Sequence, residues 1–143
     1  MSSVRVHCLS VSLDGYASGE GQCLDAPFGH AGDRLLNWFD ATRTFRQIHG
    51  VGGGATKPDV AFASRWSSGV GADIMGRNMF GPERGPWADS AWKGWWGDSP
   101  PYQNPVFVLT HHLRSSLEVE GGTTFHFIDQ PRRSLGGCSN GRR

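Results

Sequence analysis

Val70-Gly71-Ala72-Asp73-Ile74-Met75 runs directly into Gly76-Arg77-Asn78-Met79-Phe80, and the fold turns on this junction. The first part reads as a short strand, and the second as a glycine turn opening a short helix. In α/β sheets, ligands bind at the carboxyl ends of strands. A helix start placed there offers free backbone N–H groups to an anion, and Arg77 adds a planar fork of donors suited to phosphate. The competing reading is a plain turn with a solvated arginine.

Downstream, Val106-Phe107-Val108-Leu109-Thr110 is a strand of the buried type, since all five residues favour β structure and four are apolar. Thr123 to Ile128 is another, preceded by the Gly121-Gly122 turn. Between the junction and these strands lies a Gly-, Pro- and Trp-rich stretch, 81–104, that holds Trp87, Trp92, Trp95 and Trp96. A loop of that length has a function or its own packing cluster. The expectation is an aromatic lid packed over a pocket. Single-stranded bases could also stack on such rings, but the loop offers only Arg84 and Lys93 against Glu83, Asp89 and Asp98.

Upstream, Val4 to Leu13 is the first strand expected. Val4, Val6 and Cys8 alternate, then Leu9, Val11 and Leu13 take the opposite phase. Such a flip points to a β-bulge or to a strand buried on both faces. Asp14-Gly15 marks a turn, and 16–32 reads as loop. A helix starts at Asp33 as N-cap, carries Leu35, Leu36, Phe39 and Phe45, and ends near His49-Gly50. A second starts at Lys57-Pro58-Asp59, with Asp59 as N-cap or first-turn residue. Val60, Phe62, Ala63 and Trp66 form its apolar face, and Ser68-Gly69 its stop. Strands alternating with helices give an α/β fold with a mostly parallel sheet.

Composition limits the function. The chain has 143 residues, a length typical of one domain, with 37% hydrophobic residues and 21 glycines. Its net charge of +1 argues against a general nucleic-acid binder. The charge is uneven: residues 131–143 hold Arg132, Arg133, Arg142 and Arg143 and no acid, which leaves −3 on residues 1–130. Segment 131–143 is read as a basic tail with no apolar period. No apolar run is long enough for a membrane span, and Met1-Ser2-Ser3-Val4 opens no signal peptide. Three cysteines, Cys8, Cys23 and Cys138, at unrelated spacings suit reduced thiols in a cytoplasm. No metal is expected, because His111 and His112 are adjacent and no other Cys or His completes a ligand spacing. Thr110-His111-His112 ends the 106–110 strand and could contact an anion or a ribose hydroxyl, or be ordinary loop. Asp14 and Asp59 are carboxylates available for acid–base work, each with a plain alternative as turn residue or helix cap.

Four motifs then coincide in order: Val11-Ser12-Leu13-Asp14-Gly15-Tyr16-Ala17, Gly76-Arg77-Asn78-Met79-Phe80-Gly81-Pro82, Val106 to His112, and Gly121-Gly122-Thr123-Thr124-Phe125. Together they resemble the reductase domain of riboflavin biosynthesis, the C-terminal domain of the bifunctional deaminase-reductase. The likeness is closest to its stand-alone relatives, called dihydrofolate reductase family proteins, and spans residues 4 to 129. It implies a dihydrofolate reductase-like fold, a mostly parallel α/β sheet flanked by helices, with NADPH across the carboxyl ends of the strands. It implies hydride transfer to a small heterocyclic or ribosylamino-pyrimidine-type substrate in the cytoplasm, with no nucleic-acid or membrane partner. Family members often pair as homodimers.

The resemblance also distributes the roles. Asp14 and Gly15 fall where nicotinamide and substrate meet, and Gly76, Arg77 and Asn78 fall at the cofactor phosphates. Leu109, Thr110 and His111 fall at the strand end that cups the adenosine. Asp59, 17 residues before Gly76, falls near the active-site carboxylate of dihydrofolate reductase. After Asp129 the family continues with a helix, a strand with a Gly-rich turn, and further strands. Residues 130–143 carry no such pattern. The expectation is therefore a reductase domain over 1–130 missing its C-terminal strands, with an inactive remnant or an interaction protein as the alternative.

Overall fold

The computed structural model describes residues 3–6, 10–56, 58–65 and 67–129. They fall in two compact units, Met1–Val70 and Gly71–Arg143.

The second unit holds an open α/β sheet of four strands: β1 (Asp73–Gly76), β2 (Pro105–Leu109), β3 (Leu117–Glu118) and β4 (Thr124–Ile128). Their spatial order is β1-β2-β4-β3. β1, β2 and β4 run parallel, in a register that lines up Gly76, Leu109 and Ile128. β3 pairs antiparallel with β4 through the turn at Glu120–Gly122. The alternation of β4 sorts its side chains, with Phe125 and Phe127 buried and Thr124, His126 and Ile128 half-buried on the opposite face. Val106 and Val108 of β2 and Met75 of β1 share the buried face.

One helical turn, Arg77–Phe80, packs on β1 and β2 and delivers Phe80 to the centre of that face at 0% exposure. Phe80 meets Phe125, Phe127 and Trp87 edge-on, at centroid distances of 5.0, 5.2 and 5.7 Å. The loop 81–104 closes the core from above: Trp87, Trp92, Trp96 and Tyr102 all pack against it. Three of the four tryptophans expected to roof a pocket, Trp87, Trp92 and Trp96, thus pack as a partly buried layer against the hydrophobic core. A sheet of this size has too few inward positions to bury a core from strands alone, and the loop provides the missing apolar layer.

The first unit holds a 3-10 turn at Gly32–Leu35 and three short helices: α1 (Asn37–Asp40), α2 (Arg43–Ile48) and α3 (Asp59–Ala63). The turn Arg77–Phe80 is α4. The single helix expected from Asp33 to His49 is broken at Thr42. Its hydroxyl donates to the Phe39 carbonyl at 2.6 Å and accepts the Phe45 N–H at 3.2 Å, so Thr42 caps α2. A β-branched hydroxyl residue competes for backbone groups in this way. Asp33 lies inside the 3-10 turn and caps nothing, its N-cap position being Ala31. α3 starts after Pro58 with Asp59 in its first turn, but Phe62 is 69% exposed and only Ala63 is buried. Trp66, expected on that face, lies outside the described residues.

The strand expected over Val4–Leu13 does not form at its described positions. Val4 and Val6 are each 86% exposed, while Cys8 and Leu9 lie outside the described residues. Alternation creates a face that could be buried, but a strand exists only when a ladder partner takes its N–H and C=O groups.

Candidate functional site

The parallel register brings the carboxyl ends of β1, β2 and β4 to one edge of the sheet, and the expected phosphate residues gather there. Gly76 ends β1 and is exposed, with open space where a Cβ would stand. Leu109 ends β2, and Thr110 follows it, buried, its N–H donating to the Ile128 carbonyl at 2.9 Å. The Thr110 hydroxyl accepts the His112 N–H at 3.1 Å and fixes the turn that carries His111, itself exposed.

Arg77 is the organising side chain. Its Nη1 donates to the Gly85 carbonyl at 3.1 Å and reaches Thr110 Oγ1 at 3.5 Å. Its guanidinium lies over the Trp87 indole, 3.3 Å from the ring centroid. Nε and Nη2 are buried without a protein acceptor. These two nitrogens form the side-on edge of the guanidinium, the edge that takes a carboxylate or phosphate bidentately. Burial lowers the affinity of Arg77 for its proton, Glu83 opposes that shift and Arg114 adds to it. The guanidinium stays charged, since arginine does not deprotonate in proteins.

A second arginine completes the cluster. Arg114 donates to the carbonyls of Ser90 at 2.6 Å and Trp92 at 3.2 Å, and it lies 5.1 Å from the centroids of both Trp87 and Phe127. Trp87 Nε1 donates to the His112 carbonyl at 2.6 Å. Two cations therefore share one indole at the carboxyl edge of the sheet. A scan against models of known protein families gives no match, and a search of curated proteins gives none either. The site's chemistry rests on its own geometry.

That geometry is selective about the expected residues. Gly76, Arg77, Leu109 and Thr110 come together at the sheet edge. Asn78 is exposed, and its carbonyl accepts Trp95 Nε1 at 3.4 Å. A helix N-terminal anion site is not supported, because α4 is only four residues long and sums few peptide dipoles. Asp14, Gly15 and Asp59 belong to the first unit. Gly15, at φ 91°, closes a turn in which its N–H donates to the Ser12 carbonyl at 2.9 Å. The Ser12 hydroxyl donates to Asp14 Oδ1 at 2.5 Å, and Asp14 and Asp59 are both exposed.

Gly85 and Arg114 are not singled out by the sequence, and Trp87 enters only as one of the loop's aromatic rings. Gly85, Trp87 and Arg114 stand 8, 10 and 37 residues from Arg77, in chain that forms no helix or strand linking them to it. The one available signal was the loop's aromatic density. Among the described residues, no cluster of His, Cys, Asp and Glu could hold a metal ion, and no helix is long and apolar enough to cross a membrane.

Proposed function

We propose that this protein is an NADPH-dependent reductase of the dihydrofolate reductase-like class, acting on a small heterocyclic or ribosylamino-pyrimidine-type substrate. One observation carries the reading: the unfilled side-on fork of Arg77, held at the common carboxyl edge of three parallel strands. A half-buried cation with two buried, unsatisfied donors is costly unless a ligand uses them. A phosphate supplies the two acceptors that the fork lacks. The 2′-phosphate of NADPH is the group assigned to it, with Gly76 leaving room for close approach and Thr110 and His111 flanking the adenosine. NADPH, when bound, supplies the hydride. Arg77 binds and orients the cofactor through its phosphate.

The test is thermal unfolding with added NADPH and NADH. NADPH at 100 times its Kd stabilises by about 2.7 kcal/mol. We expect NADPH to raise the melting temperature well above the NADH value and Arg77→Met to erase the difference. No shift with either nucleotide would remove the reductase reading. A second reading, a non-enzymatic interaction protein, draws on β1, which is an edge strand among the described residues with Ile74 62% exposed. It would show concentration-dependent association and no nucleotide shift.

A further inference from the structure

The fork of Arg77 is unsatisfied, yet it is also closed. Nε and Nη2 are buried, so no anion reaches them while the surrounding loop keeps this position. That loop supplies the two closest groups on the guanidinium: the Trp87 indole on its face and the Gly85 carbonyl on Nη1. We infer that the segment 82–91 is a lid over Arg77, latched by Trp87, and that a phosphate-bearing ligand enters by lifting it. The inference rests on the reading of Arg77 as the anion-binding residue.

The lid has the parts such a device needs. Its near end is held at Gly81, where a Cβ would stand 2.6 Å from Trp92 Nε1. Its far end is tied by Arg114, which donates to the Ser90 and Trp92 carbonyls. Between these anchors lies Gly85 at φ 80°, with open space around it, a backbone able to turn without a steric penalty. The latch itself is one hydrogen bond, Trp87 Nε1 to the His112 carbonyl, plus the stack on Arg77. Trp87 also packs edge-on against Phe80 and Phe127, so lifting exposes apolar surface and the closed state prevails without ligand. Against this, the closed state keeps two guanidinium donors unpaired, a cost that an anion relieves on entry. Apolar burial thus favours the closed state and the unpaired donors oppose it, and a ligand that pairs the fork shifts the population toward the open one.

The experiment uses the full chain with NADPH and, separately, inorganic pyrophosphate as probes. Binding is followed by calorimetry, and tryptic cleavage after Arg84 by mass spectrometry. Both probes should accelerate cleavage of the Arg84–Gly85 bond, because the Gly85 carbonyl leaves Arg77. Trp87→Leu removes the stack and the latch donor, so it should tighten binding by about three- to thirty-fold, the range that loss of one cation–π contact covers. Equal affinity in both proteins, with cleavage after Arg84 unchanged by either probe, would overturn the lid alone. Absence of binding to wild type and variant alike would overturn the anion-site reading and the lid with it. If Trp87→Leu fails to fold, wild-type cleavage decides: acceleration by the probes supports the lid, and unchanged or slower cleavage rejects it.

Discussion

Replacing Arg77 by Met separates a binding role from a structural one. In the free protein the guanidinium gains a charged hydrogen bond to the Gly85 carbonyl, about 1.5–3 kcal/mol. It also gains the contact with Trp87, about 0.5–2 kcal/mol. Against these stand two buried donors without acceptors, which cost about 1–3 kcal/mol each. Thr110 Oγ1, at the 3.5 Å limit, adds little. The opposing sums nearly cancel, and Met keeps a flexible apolar stem against the indole. We therefore expect Arg77→Met to change the stability of the second unit by less than about 1 kcal/mol. The same variant should lose the entire NADPH-dependent increment. Urea unfolding followed by tryptophan fluorescence suits the measurement, because four of the six tryptophans belong to that unit. A loss above about 2.5 kcal/mol without ligand would mean that Arg77 is chiefly a structural clamp. Retention of the NADPH increment in the variant would refute its phosphate role.

Three further outcomes follow from the packing. Phe80→Ala empties the centre of the core, where Phe80 is 0% exposed, and should cost about 3–5 kcal/mol in urea unfolding. Thr42→Ala removes the cap of α2 and should cost about 1 kcal/mol, with faster hydrogen exchange at the Phe45 amide. Partial desolvation raises the Asp40 carboxyl from its ordinary value, with His49 opposing and Asp33 adding to the shift. The folded state thus keeps this proton to higher pH than the unfolded state does. Stability is favoured below the unfolded value and declines as pH rises toward the folded one. Asp40→Asn should flatten that acidic slope in a pH series of melting temperatures.

Residue pattern alone determined the sheet's central strands. Val106 to Leu109 and Thr124 to Ile128 have the β-branched and aromatic content that suits a pleated, buried surface, and both form within a residue of expectation. The junction at Gly76 is legible in part: the strand expected over Val70–Met75 forms over Asp73–Gly76, and α4 follows it directly. The Val4–Leu13 run shows the limit: it has the alternation of a strand, but pairing is decided by a partner elsewhere in the chain. β3 is not legible in the sequence because two residues carry no period, and it exists only because Thr123 and Val119 close a tight turn beside β4. At the site, sequence named Arg77 and Thr110. The tertiary structure alone decided that Arg77 lies flat on Trp87 with its fork unpaired, and that Arg114 ties down the loop carrying that indole. Those relations join residues 10 to 24 positions apart. Only packing of the loop onto the sheet brings such residues together, because contacts at that range follow from burial and not from local backbone preference.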